Sequence, residues 1–152
     1  MAPGPWSVRS AAPRSVAALA ALDLALKLAM STLRSLGARG EGDPRSRFEK
    51  IHTVQLLHAE SSPPIYALAL ALLWRTASRE DEGETSRAAA AWLYLAVFGR
   101  YCFALRAFDD TVNAKGYNNA GRPGDGVMSV FGLVGATSAY VAQAGLVWLL
   151  LR

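Results

Sequence analysis

Glu60 and Arg100 are the two residues whose positions most strongly suggest chemistry. Glu60 falls inside the mostly apolar stretch 51–74, and Arg100 falls inside the similar stretch 88–108. A charged side chain in the hydrocarbon core of a membrane costs at least roughly 2.5 kcal/mol and usually marks a buried partner, a polar cavity or a ligand site. We therefore expect the two residues to form a cross-helix ion pair, or to be the two poles of a site for a zwitterionic ligand.

These stretches belong to a set of four apolar segments. Each segment approaches or exceeds the roughly 20 residues that a membrane-spanning helix needs. The segments are rich in Ala and Leu without strict alternation, which is typical of helices; they are residues 16–36, 51–74, 88–108 and 127–151. We expect residues 1–152 to form one all-α domain, a four-helix transmembrane bundle with up-down topology.

The tryptophans favour that topology. In an up-down chain, Trp6, Trp74, Trp92 and Trp148 all fall on one side of the membrane, and indole rings prefer the interface between membrane and water. The alternative is four scattered core tryptophans. Lysine and arginine are slightly more frequent in the first and third loops, which favours a cytoplasmic location for those loops.

The rest of the composition bounds the function. The net charge of +4 is spread over both faces without a basic stripe interleaved with aromatics, which argues against nucleic-acid binding. Residues 1–15 resemble an organelle transit peptide only weakly, so we expect a short polar tail before a retained first span. We expect a multi-pass protein of an endomembrane, with the endoplasmic reticulum favoured and an organelle membrane as the alternative.

The helix that carries Glu60 has readable boundary signals. Asp43-Pro44 predicts an N-cap followed by proline in the first turn, so we expect Lys50 to lie in water before the helix enters lipid. Pro63-Pro64 should bend the helix just past Glu60, because proline removes backbone hydrogen bonds.

Other polar residues in the spans allow simpler interpretations. Asp23 and Lys27 are four residues apart, so they can pair on one helix. At about 1.5 Å of rise per residue, Lys27 falls in the same layer as Glu60 and Arg100. His58 is expected to point away from the face that carries Glu60.

Several of these residues resemble a known signature. Arg47-x-Glu49-Lys50-Ile51, followed by Glu60 and then Pro63-Pro64, is similar to the second helix of the membrane-associated proteins in eicosanoid and glutathione metabolism, the MAPEG family. Leu33-Arg34 at the end of the first span and Gly99-Arg100-Tyr101 in the third are further similarities. The resemblance implies a homotrimer related to the microsomal glutathione transferases, with glutathione bound between subunits.

The resemblance also implies roles for individual residues. Glu60 would bind the ammonium group of glutathione, and Arg34 and Arg47 would bind its carboxylates. Arg100 or Arg122 would favour the thiolate over the thiol, with Arg106 as an alternative to Arg122. Tyr101 would offer its hydroxyl to the sulfur, while a lipophilic electrophile arrives from the bilayer; no metal is expected.

Two other functions stay open. Leu57, Thr53 and Leu105 stand where the family signature has polar residues, which favours a non-catalytic lipid-binding or scaffold protein. In that case Glu60 and Arg100 are a buried ion pair that orients the helices. A transporter subunit is weaker, because the segments contain neither repeats nor broken helices.

Overall fold

The computed structural model describes residues 4–37, 46–77, 83–109 and 127–152. In these ranges the chain forms four long helices: α1 (Val8–Ser35), α2 (Arg47–Ala77), α3 (Glu84–Leu105) and α4 (Val127–Leu151). A short 3-10 turn, Arg106–Phe108, continues α3. All four helices are long and apolar enough to cross a membrane, and no strand occurs within those ranges, which confirms the all-α class.

The first helix is longer than predicted. It begins at Val8, so residues 8–15 are helical and the expected polar tail is wrong. Ser7 provides the N-cap, because its side chain accepts a hydrogen bond from the Ser10 amide. Val8 then donates its amide to Ser86 at the start of α3, which fixes the two helix starts side by side.

The second helix starts with a serine cap. Ser46 accepts a hydrogen bond from the Glu49 amide at 3.2 Å, while the predicted cap Asp43-Pro44 lies outside the described residues. Lys50 is only 3% exposed, which corrects its expected place in water. Its ammonium donates to the carbonyl of Asp109, so it fastens the start of α2 to the end of the 3-10 turn.

The helix continues without interruption through Pro63 and Pro64, whose side chains are exposed. Proline has no amide hydrogen, so the carbonyls of Ala59 and Glu60 lose the donors that helix geometry would otherwise give them.

One end of the bundle is marked by tryptophan side chains. Trp6 makes an edge contact with Tyr94, and Arg75 donates to the carbonyls of Leu149 and Leu150, both at 2.8 Å. A shared cavity wall joins the end of α2, the start of α3 and the end of α4. The four tryptophans lie towards this end, where Trp6, Trp74 and Trp148 are more than half exposed. We call it the tryptophan end.

Helices α3 and α4 make the most extensive contact, and α3 also touches α1 and α2. Gly99 lies against the backbone of α4, where a Cβ would approach the Gly135 carbonyl oxygen to 2.6 Å and the Ala139 nitrogen to 2.7 Å. Small residues at such positions let helices approach closely in a membrane. Gly135 and Ala139 are the small residues of α4 at this contact.

The buried residues form two apolar clusters, one towards each end of the bundle. Leu19, Ile65 and Ala96 mark the inner edge of the first cluster. Leu22 and Phe103 mark the inner edge of the second. The short gap between the clusters is filled by the polar side chains of His58, Ser62 and Arg100. We call these three residues the polar layer.

We expect Gly99→Leu to lower the free energy of unfolding by at least about 2 kcal/mol, because backbone atoms on α4 cannot move aside for the new side chain. Circular dichroism during thermal unfolding in detergent measures the change. Gly4→Ala is the control, since nothing lies within 4 Å of a Cβ there. Equal stability of the two variants would contradict the close α3–α4 contact.

Candidate functional site

Arg100 is the centre of the polar layer. Its side chain is only 5% exposed. The Nε group donates to Nδ1 of His58 at 3.5 Å, and the guanidinium carbon lies 5.3 Å from the centre of the Phe103 ring. Nη2 is buried without a hydrogen-bond partner among the described residues. A cation in this setting depends on every acceptor that it has, because it has left its hydration shell.

His58 supplies that acceptor from α2. Because Nδ1 accepts from Arg100, Nε2 carries the proton and faces the Leu19 carbonyl at 3.1 Å. Ser62, one turn further along, is hydrogen bonded to the His58 carbonyl at 2.7 Å. His58 is 1% exposed whereas Glu60 is exposed, so His58 points away from the face that carries Glu60, as predicted. Its contact with Arg100 was not predicted.

Sequence periodicity carries a signal for His58. The buried residues of α2 recur at spacings of three and four, which define one helix face. His58 and Ser62 occupy two inward positions of that face, and Glu60 does not. Apart from Lys50, the buried residues of α2 are Phe48, Ile51, Val54, His58, Ser62, Ile65, Ala69 and Leu72.

Glu60 lies on the outer side of α2 and is exposed. It forms no ion pair with Arg100, whose partner is His58, so the predicted pair is wrong within this chain. The physical reason is the angle between side chains on a helix. Glu60 follows His58 by two residues, which rotates its side chain by about 200° around the axis of α2.

Asp23 and Lys27 pair as predicted, with 2.6 Å between Lys27 Nζ and Asp23 Oδ2. Their depth differs from the prediction. His58 reaches Leu19 on α1, and Lys27 lies eight residues, or about 12 Å, beyond Leu19. Glu60 and Arg100 therefore share the central layer, whereas Lys27 lies closer to the opposite end.

The predicted carboxylate-binding arginines lie at the end opposite the tryptophans. Arg34 is exposed near the end of α1, with its guanidinium 5.7 Å from the centre of the Phe48 ring. Arg47 is exposed at the start of α2. Both belong to the α1–α2 side of the bundle, as Glu60 does, and Glu60 lies more than three turns further along α2 than Arg47.

Tyr101 is 41% exposed, and its hydroxyl donates to the Ala18 carbonyl at 2.9 Å. Arg106, the alternative to Arg122, lies over the Phe103 ring at 5.7 Å and packs against Gly132. Arg122 is outside the described residues. Of the predicted catalytic residues that the structure describes, Arg100 is hydrogen bonded to His58 and Tyr101 to Ala18, and neither is hydrogen bonded to Glu60.

An apolar groove of about 200 Å³ lies between α1 and α3, away from the tryptophan end. Tyr101 is the polar-tipped residue of its wall. Such a surface suits an alkyl chain or an aromatic ring better than a charged group. The other lining residues are Leu22, Ala25, Leu26, Ala29, Ile51, Ala104, Leu105, Ala107 and Phe108.

No protein-family model, curated protein or solved structure matches this chain. The similarity to MAPEG proteins therefore rests on the motif residues of α1, α2 and α3 alone.

The partnership of Arg100 and His58 predicts unequal effects of removing each. His58→Leu leaves the cation buried without its acceptor and should destabilise the protein by about 3 kcal/mol. Arg100→Met removes the cation itself, so we expect a loss of no more than about 1 kcal/mol. The double variant should recover most of the His58→Leu loss.

Thermal unfolding in detergent of the two single variants, the double variant and Glu60→Gln measures this coupling. Glu60→Gln is the control and should unfold at the wild-type temperature. Additive effects of the His58 and Arg100 substitutions, or strong coupling between Glu60 and Arg100, would show that the partners are assigned wrongly.

Proposed function

We propose that this chain is a MAPEG-like, four-span membrane protein with up-down topology that binds glutathione between the subunits of a homotrimer. In this proposal it acts in an endomembrane, with the endoplasmic reticulum favoured, as a transferase or peroxidase on lipophilic electrophiles. The observation that carries the proposal is the exposed carboxylate of Glu60, halfway along a helix that is apolar enough to span a membrane.

The energetic argument starts from the surroundings of that carboxylate. A charge facing hydrocarbon is expensive, so it needs a polar partner. The described residues offer Glu60 no cation within ion-pair distance. In this proposal the partner comes from outside the described residues, and a ligand held against a second copy provides one.

The Glu60 carboxylate suits one particular group of glutathione. An ammonium group has three hydrogens to donate. The two oxygens of the Glu60 carboxylate can accept such hydrogens in charge-assisted hydrogen bonds. This arrangement suits the γ-glutamyl ammonium of glutathione, while the exposed Arg34 and Arg47 suit its carboxylates.

The transfer step needs little from the protein. The glutathione thiolate attacks an electrophilic carbon, a carbon–sulfur bond forms, and the leaving group departs with the electron pair. The groove beside Tyr101 supplies a place for the lipophilic partner. A cation at the sulfur would be Arg122 or Arg106 if Arg100 stays bound to His58, or Arg100 if the subunits rearrange around the ligand.

A second candidate is a non-catalytic lipid-binding or scaffold protein. Two observations favour it: the guanidinium of Arg100 is held by His58, and the hydroxyl of Tyr101 is held by Ala18. The apolar groove then binds a lipid without chemistry.

We expect Glu60→Gln to weaken glutathione binding by at least about 1.5 kcal/mol, the scale of a lost charge-assisted hydrogen bond, with unchanged helical content. Isothermal calorimetry on the protein in detergent micelles measures the affinity. Glu49→Gln is the matched control, since it changes the same group on the same helix near the aqueous end.

Wild-type affinity in Glu60→Gln would show that the carboxylate does not bind the ammonium. No binding of glutathione to the wild-type protein would favour the lipid-binding candidate. A detergent-corrected mass that corresponds to a stable monomer would remove the site between subunits.

A further inference from the structure

A second groove, at the tryptophan end, changes from polar to apolar along its length. Its mouth is a cavity of about 510 Å³ whose wall includes Arg75, Arg152 and Trp148. The wall also includes Ala88 of α3. Ala88 also lines a second, apolar cavity of about 440 Å³, together with Ala91, Trp92 and Leu95. The two cavities meet at Ala88, and we call them together the amphipathic groove.

The mouth carries two guanidinium groups. Arg75 is held by its hydrogen bonds to the last carbonyls of α4, and Arg152 lies 5.1 Å from the centre of the Trp148 ring. Glu84 is the acidic residue of the wall, so the two cations outnumber it. Guanidinium groups bind phosphate oxygens with strong, directional hydrogen bonds.

The apolar part follows one face of α3. Ala88, Ala91, Trp92 and Leu95 are spaced as one side of a helix. The alanines leave room beside the Trp92 ring, which packs on Gly145 of α4. The groove runs from the helix start towards the middle of the bundle, which is the direction of an acyl chain in a bilayer.

We propose that the amphipathic groove binds an anionic phospholipid, with the phosphate on Arg75 and Arg152 and one acyl chain along the alanine face of α3. The order of groups along the groove matches that ligand. The two arginines lie at the level of Trp148, where a phosphate would lie, and the apolar surface of α3 follows where an acyl chain would lie. This site does not depend on glutathione, because it shares no residue with the groups around Glu60.

Native mass spectrometry of the full chain in detergent, with equimolar phosphatidylglycerol and phosphatidylcholine, tests the proposal. We expect wild type to retain phosphatidylglycerol preferentially, and Arg152→Gln to reduce that preference about tenfold through the lost charge-assisted contact. Arg75→Gln should act similarly, but it also releases the end of α4, so Arg152→Gln is the decisive variant. Ala91→Phe fills the acyl groove and should reduce retention of both lipids.

Matched controls are Arg9→Gln and Ala67→Phe, which make the same changes at exposed positions of α1 and α2. Equal retention of the two lipids by wild type would overturn the proposal, as would equal losses in Arg152→Gln and Arg9→Gln. Displacement of phosphatidylglycerol by inorganic phosphate, with unchanged lipid binding in Ala91→Phe, would show that the mouth takes only a phosphate ion.

Discussion

The desolvated guanidinium of Arg100 is the constraint around which the rest of the bundle is arranged. A buried cation keeps its charge only where acceptors replace its water, and here the acceptor is a neutral histidine on another helix. The two apolar clusters close on either side of this layer. Arg100 and His58 therefore require α3 and α2 to lie among the other helices, and each of these two helices touches the other three.

The neighbour of Arg100 in the chain completes this arrangement. Gly99 turns towards α4 and lets the two backbones approach closely, so α4 covers the side of α3 next to the buried cation. A larger residue would separate the helices and open the polar layer to lipid. The Gly99-Arg100 dipeptide thus has a structural meaning beside the catalytic one implied by its resemblance to the family signature.

The sequence predicts part of this structure well. Four helices follow from segment length and composition, and the pair of Asp23 and Lys27 follows from helix spacing. The start of α1 is missed because hydropathy is weak around Arg9 and Arg14, whereas the Ser7 cap and the contact of Val8 with Ser86 decide the boundary.

The error in the polar layer has a different cause. Charge alone selects Glu60 as the partner of Arg100, but the angular position along α2 selects His58, and the periodicity of the apolar residues carries that information. A site between subunits, in contrast, is not encoded in the packing of one chain. The roles of Arg34, Arg47 and Glu60 towards glutathione therefore stay predictions, and Arg122 lies outside the described residues.

The two predicted catalytic residues of α3, Arg100 and Tyr101, differ in the free energy needed to break their present hydrogen bonds. Freeing Arg100 from His58 would strand a cation in an apolar interior, which costs several kcal/mol. Freeing the Tyr101 hydroxyl costs only about 1 kcal/mol, because it gives up one neutral hydrogen bond and the Ala18 carbonyl keeps its place in the α1 helix. Tyr101 also lines the apolar groove and is partly exposed. If this chain acts on a bound thiol, Tyr101 is the group of α3 that can turn towards the sulfur, while Arg100 holds the helices that position it.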